Sequence, residues 1–145
     1  MDPARGGQMP YTIRRADYFH ATVHDEPGEG YQILSTLAEL GINLMAFTGM
    51  PMGQARTCLT LFPEDPVRMA SAARQSGLAL DGPHPAFLVQ GDDELGAFAR
   101  IHLRLYQARV NVFASSGVAD GKGAFAYILY VRPEDYEGAA RALGL

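Results

Sequence analysis

The chain repeats itself. "DEPGEGYQILSTLAELGIN" at 25–43 and "DELGAFARIHLRLYQARVN" at 93–111 align without a gap. Asp25, Gly28 and Asn43 are matched by Asp93, Gly96 and Asn111, always 68 positions apart. A repeat of this length marks a supersecondary unit built twice. Two such units account for most of the 145 residues, of which 48% are hydrophobic and 19% charged. That balance supports packed cores and is too apolar for a disordered chain.

Each copy reads as strand, helix, strand, strand, helix. In "YFHATV", Phe19, Ala21 and Val23 share a face, and Phe87 and Val89 take the corresponding places in "AFLV". Ile33, Leu37 and Leu40 form one apolar helical stripe; Ile101, Leu105 and Ala108 form the second. Gly41 suits a left-handed helix end. Arg109 stands in its place in the second copy, so that end must close differently or bear strain.

"INLMAFTG" and "VNVFASSG" follow, apolar on both faces, which predicts strands covered on both sides. A second sheet or another subunit is the expected cover for Met45, Phe47 and Phe113. "GMPMGQ" and "ADGKGA" read as Gly-containing hairpin turns. "RTCLTLF" and "AFAYILYV" return, each leading to Pro-Glu-Asp, at Pro63–Asp65 and Pro133–Asp135. That offset is 70, which puts two extra residues in the second hairpin. The final helices close on Gly77 and Gly144. "LALDG" at 78–82 is a short fourth strand for copy one; copy two has none of its own. Tyr11, Thr12 and Ile13 form a strand-like piece suited to fill that edge.

Asp-x-Pro-Gly between first strand and first helix, with Gly-Ile-Asn opening the second strand, resembles the ACT domain family. The residues are Asp25, Pro27, Gly28, Gly41, Ile42 and Asn43. Copy two departs from this pattern at Leu95, Arg109 and Val110 and in its missing last strand, and joins through the repeat. The resemblance implies an α+β fold of two ferredoxin-like βαββαβ modules in tandem, with antiparallel sheets and helices on one face. The expected divisions are 1–16, a leader with an edge strand; 17–81, module one; and 85–145, module two. The resemblance further implies a non-catalytic regulator or sensor that binds a small amino acid at the strand-to-helix loop, at a module or subunit interface.

The chemistry of that loop is physically reasonable. A helix start has backbone N–H groups without partners, and Gly lets a carboxylate approach them. The expected ligand-binding residues are Asp25, Glu26, Pro27, Gly28, Glu29, Gly30 and Asn43, with Asp93, Glu94, Leu95, Gly96 and Asn111 in copy two. Asn43 or an acidic side chain would accept from the ligand's ammonium. The acidity of both loops favours a small or basic amino acid over an acidic one. Pro-Gly with an acidic first turn is equally ordinary helix-start chemistry. An enzyme on a ferredoxin-like or dimeric α+β barrel scaffold and a ligand-free interaction module therefore stand as alternatives.

The remaining features exclude more than they add. Net charge is −4, with 11 Arg and one Lys and no basic stripe, so nucleic acid is not an expected partner. No apolar run has membrane-spanning length and no signal peptide is evident, so the expected location is the cytoplasm. The single cysteine, Cys58, excludes an intrachain disulfide and reads as a small buried hydrophobe. His20 and His24 lie about 13 Å apart in an extended strand. His84 falls in a linker and His102 beside a helix stripe, so no metal site and no cofactor is expected. Ser115-Ser116 lacks a His–Asp set, and "GVADGKGAF" lacks phosphate-loop spacing. Uncovered apolar strands and an open edge imply a homodimer or larger, whose regulated enzyme the sequence does not name.

Overall fold

The structure is a computed structural model describing residues 11–145; the leader expected before Tyr11 lies outside the described residues. Six strands and four helices follow in the order β1 (Tyr11–His24), α1 (Glu29–Glu39), β2 (Leu44–Gly53), β3 (Arg56–Pro63), α2 (Pro66–Ser76), β4 (Asp81–Asp92), α3 (Ala97–Gln107), β5 (Val112–Ala119), β6 (Ala124–Val131) and α4 (Tyr136–Ala142). The chain divides into two compact units. One is Asp17–His84; the other takes Pro85–Leu145 together with the described residues 11–16. β1 and β4 therefore each give one stretch to each unit. Each unit is α+β and ferredoxin-like, antiparallel, with its helices on one face, the fold that the resemblance to ACT modules implies.

In the first unit, β1 pairs with β3 and β3 with β2, all antiparallel. In the second, β4 pairs with β6 and β6 with β5. The repeat holds at the level of register. Phe19↔Leu61 becomes Phe87↔Leu129, and Phe47↔Leu61 becomes Ser115↔Leu129. A bulge between Leu44 and Ala46 recurs between Val112 and Ala114. Pro51↔Thr57 and Ala119↔Phe125 frame hairpins of equal length. The two extra residues of copy two thus do not lie in its hairpin. They enter after β6, where a 3-10 turn at Pro133–Asp135 precedes α4. The "LALDG" strand is also displaced: regular structure begins only at Asp81 and runs on as β4.

Alternation builds the cores. Phe19, Ala21, Leu59 and Leu61 face Ile33, Leu37 and Met69 in the first unit. Phe87, Val89, Tyr127 and Leu129 face Ile101, Leu105, Ala139 and Ala140 in the second. Tyr11 and Ile13 join this second core, and Thr12 Oγ1 donates to the Gln90 carbonyl at 3.4 Å. Arg15 grips Glu137 on α4 through two bonds of 2.9 and 3.0 Å, and its guanidinium lies 5.2 Å from the Tyr136 ring centre. Among the described residues Phe47 on β2 and Phe113 on β5 stay uncovered, 43% and 53% exposed.

Gly41 ends α1 with φ 73, its N–H reaching the Ala38 carbonyl and Ile42 N–H reaching that of Leu37. This is a Schellman closure. Arg109 closes α3 in the same way, with Arg109 N–H to Tyr106 and Val110 N–H to Leu105, at φ 59. The second end closes identically and carries left-handed strain on a residue with a Cβ. The first hairpin shows the converse. Gln54 and Ala55 occupy its positive-φ corner (55° and 57°), whereas Gly123 stands at the position matching Ala55.

Candidate functional site

Both strand-to-helix loops share one backbone. Gly28 (φ 91) and Gly96 (φ 80) are left-handed helix starts, and no side chain caps either helix. Gln32 N–H reaches the Gly28 carbonyl at 2.9 Å; Arg100 N–H reaches that of Gly96 at 3.0 Å. Each loop is tied to the hairpin tip of its own unit, Asp25 N–H to the Ala55 carbonyl at 2.7 Å and Asp93 N–H to that of Gly123 at 2.9 Å. Glu29 N–H bonds the Glu26 carbonyl at 3.3 Å and Ala97 N–H that of Glu94 at 3.1 Å, so the first N–H of each helix is taken, while the helix dipole points out of a braced turn and favours an anion there.

The side chains differ. Asp25, Glu26, Pro27 and Gly28 are exposed, and Glu29 and Gly30 are half-buried. A Cβ added at Gly28 or at Gly30 would meet nothing within 4 Å. In the second loop Asp93, Glu94, Leu95 and Gly96 are exposed, Leu95 completely. There Arg100 folds back over the turn, donating to the Leu95 carbonyl at 3.2 Å and to Glu94 Oε2 at 3.1 Å. Phe98 stands where the first copy has Gly30. It stacks on Tyr127 (4.3 Å between ring centres) and meets Phe125 edge-on at 5.1 Å. His102 bonds the Tyr127 hydroxyl. The first turn is open; over the second lies the Arg100 guanidinium, while the Phe98 ring packs on the sheet.

Asn43 and Asn111 lie elsewhere in their units. Each follows the C-terminal end of its helix, and 11 residues of α1 at about 1.5 Å rise separate Asn43 from Gly28 by roughly 16 Å. Asn43 Nδ2 donates to Glu64 Oε1 at 2.7 Å, and its carbonyl accepts from Glu64 N–H at 2.9 Å. Within one unit, then, the loop residues come together and the asparagines stay apart from them. Phe98 and Arg100 were missed by reasoning on the shared pattern. The signal was present as two departures from it, Gly30 to Phe98 and Gln32 to Arg100.

Cys58 was read as buried and is not. The alternation of β3 sends Leu59 and Leu61 to the helix side and Cys58 and Thr60 to the opposite face. There the Cys58 thiol is half-exposed and lies 3.3 Å from His20 Nδ1, with Thr60 Oγ1 3.2 Å from the same nitrogen.

No family model matches the sequence, and no curated protein matches it. Solved structures do. Protein BT0572 from Bacteroides thetaiotaomicron superposes with a TM-score of 0.75 at 16% identity, covering 90% of this chain and 88% of that one. Aspartokinase alpha and beta subunits superpose at 0.60 with 18% identity, covering 93% and 95%. The ligand-free regulatory subunit of aspartate kinase from Thermus thermophilus superposes at 0.60 with 16% identity, covering 92% and 93%. At these identities the likeness establishes the fold. Among the described residues no helix is long and apolar enough to cross a membrane.

Proposed function

We propose that this protein is a non-catalytic sensor of a small amino acid, held at the first strand-to-helix turn. The observation that carries this is the open helix start at Gly28 and Gly30, without a side-chain cap, in contrast to a second turn covered by Arg100. The ligand carboxylate meets the first-turn N–H groups of α1. Asp25, Glu26 or Glu29 accepts from its ammonium, which disfavours an acidic side chain on the ligand. Asn43 lies too far from Gly28 in its own unit, so in this reading it serves a turn supplied by another copy. A homodimer then places a turn and an asparagine in one pocket and covers Phe47. The name of the aspartate kinase regulatory subunit is in keeping with a regulatory role; an enzyme regulated by this chain is part of the proposal.

A thermal-shift screen against the twenty amino acids tests this reading, because a ligand selective for the native state raises its stability. One or two amino acids should stabilise the protein at millimolar concentration. Calorimetry should then show Asn43→Ala weakening binding by about 1 kcal/mol, the worth of one neutral hydrogen bond. Silence across the twenty would favour the ligand-free interaction module.

A further inference from the structure

Away from both turns, the first unit carries a cluster of nucleophilic and titratable side chains on the sheet face opposite its helices. A cleft of about 550 Å³ is lined by His20, Thr22, Met52, Cys58, Leu80 and Asp81. Cys58 Sγ lies 3.3 Å from His20 Nδ1. The His20 ring meets Tyr18 edge-on at 5.1 Å and His84 at 5.6 Å, and His84 Nε2 lies 3.1 Å from Asp81 Oδ2. Tyr18 registers the same neighbourhood: burial first, then the charges of Asp81 and Cys58, raise its hydroxyl above its ordinary value.

We infer that Cys58 and His20 form a thiol–imidazole pair that takes up small disulfides in this cleft, making Cys58 a site of reversible mixed-disulfide modification. Thiol–disulfide exchange requires a thiolate, a base for its proton and room for the incoming sulfur. A neutral His20 with its proton on Nε2 presents Nδ1 as acceptor to the Cys58 S–H. As the proton passes to Nδ1, the sulfur attacks one sulfur of the disulfide. The Cys58 S–S bond forms while the disulfide's own S–S bond breaks. The departing thiolate takes the proton from the imidazolium and leaves as a free thiol. Cys58 is oxidised and the incoming disulfide is reduced, so no further reagent is needed. The apolar wall of Met52 and Leu80 accepts the carbon chain of the reagent, and the Asp81 carboxylate favours a cationic chain over an anionic one.

Because Cys58 is the only cysteine, its modification can be followed on the intact chain by mass spectrometry without ambiguity. The native protein at pH 7 should react with cystamine at least about tenfold faster than the same chain in urea, where the thiol has its ordinary pKa of about 8.5. His20→Gln, folded by circular dichroism, should remove that advantage. Relative to its rate with the unfolded chain, cystamine should gain more than the anionic aliphatic disulfide 3,3′-dithiodipropionate, and Asp81→Asn should narrow that difference. A native rate equal to or below the unfolded rate would overturn the proposal, and this comparison needs no variant. So would a folded His20→Gln protein that keeps the wild-type rate. Neither result bears on amino-acid binding at the Gly28 turn.

Discussion

The two units have the same register, the same bulge and the same hydrogen bonds at both ends of their first helices, yet only the first leaves its strand-to-helix turn open. In the first, Gly30 and Gln32 follow the turn; in the second, Phe98 and Arg100 do. Arg100 satisfies the turn's own carbonyl and pairs with Glu94, while Phe98 joins Tyr127, Phe125 and His102 in an aromatic set. Backbone geometry here is set by hydrogen bonds and hydrophobic spacing that tolerate many sequences. Cover over the turn is set by one side chain, Arg100. Duplication here thus preserves a backbone scaffold more readily than it preserves access to its turn.

The largest expected difference comes from Gly117 and Gly49, which share one register position. A Cβ at Gly117 would sit 2.7 Å from Tyr127 Cδ1 and 3.1 Å from Phe98 Cζ, in rings pinned by stacking and by His102. At Gly49 it would meet Leu59 Cδ2 at 3.3 Å and, in ordinary contact, Thr57 Cγ2 at 3.8 Å. Gly117→Ala should cost about 1–3 kcal/mol, the usual range for overpacking, and Gly49→Ala clearly less. Urea melts measure both. Equal costs would show that the aromatic set yields easily to an added methyl group.

Gly28→Ala and Gly96→Ala come next. Both place a Cβ on a left-handed residue, so each should lose about 1–2 kcal/mol of stability. Their binding should diverge. Gly28→Ala should abolish the calorimetric signal of whichever amino acid stabilises the wild type, under conditions where the protein still melts cooperatively. Gly96→Ala should leave it intact. Loss in both variants would mean that the second turn binds despite Phe98 and Arg100. Full affinity in Gly28→Ala would remove the first turn as the site.

Much of this was legible in the sequence because it depends on period and spacing. The constant 68-residue offset announced the duplicated fold, and the alternation Phe19-x-Ala21 with the stripe Ile33, Leu37 gave the first core. What escaped depends on three-dimensional register. The Pro-Glu-Asp offset of 70 points to two extra residues in the second hairpin, and the pairings Ala119↔Phe125 and Val112↔Val131 were needed to put them after β6 instead. The opposite faces of β3 were invisible from "RTCLTLF" alone, since Cys58 reads as apolar until its neighbour His20 is known. The separation of Asn43 from Gly28 follows from helix length, yet the shared motif invites treating them as one site.

The copies also distribute backbone strain in opposite senses, which gives a smaller test. Arg109 bears a left-handed φ where copy one has Gly41, and Ala55 bears one where copy two has Gly123. Arg109→Gly and Ala55→Gly should each raise stability by about 0.5–1 kcal/mol, because relief of strain exceeds the added freedom of the unfolded chain. Gly123→Ala should lower it by a similar amount. Gly41→Ala should cost more, since its Cβ would also displace the Arg68 guanidinium, 2.6 Å away, from the Leu40 carbonyl. Destabilisation by Arg109→Gly would show that the Arg109 side chain supports the helix end by contacts that outweigh its backbone angle.

The smallest effect expected is electrostatic and belongs to the second unit. The Arg15 guanidinium holds the Glu137 carboxyl below its ordinary range, and the Lys122 and Ala124 N–H groups do the same for Asp120 at the hairpin tip. A carboxyl with a lowered folded pKa contributes stability that is fully present above its unfolded value, about 4, and lost as pH falls through the folded value. Acidification below about pH 4 should therefore loosen the contacts between residues 11–16 and α4 and open the β5–β6 hairpin tip. Both groups are exposed, so the change should be slight and should shrink in salt. Amide exchange followed residue by residue between pH 5 and pH 3 reads it directly, at Glu137 and its neighbours on α4 and at Lys122 and Ala124. Arg15→Gln should shrink the acid dependence at α4 to the smaller part owed to the Arg141 charge and leave that of Lys122 and Ala124 unchanged, because the two carboxylates have separate partners. An acid response at α4 undiminished in Arg15→Gln would remove Arg15–Glu137 as the tie between the N-terminal stretch of β1 and the last helix.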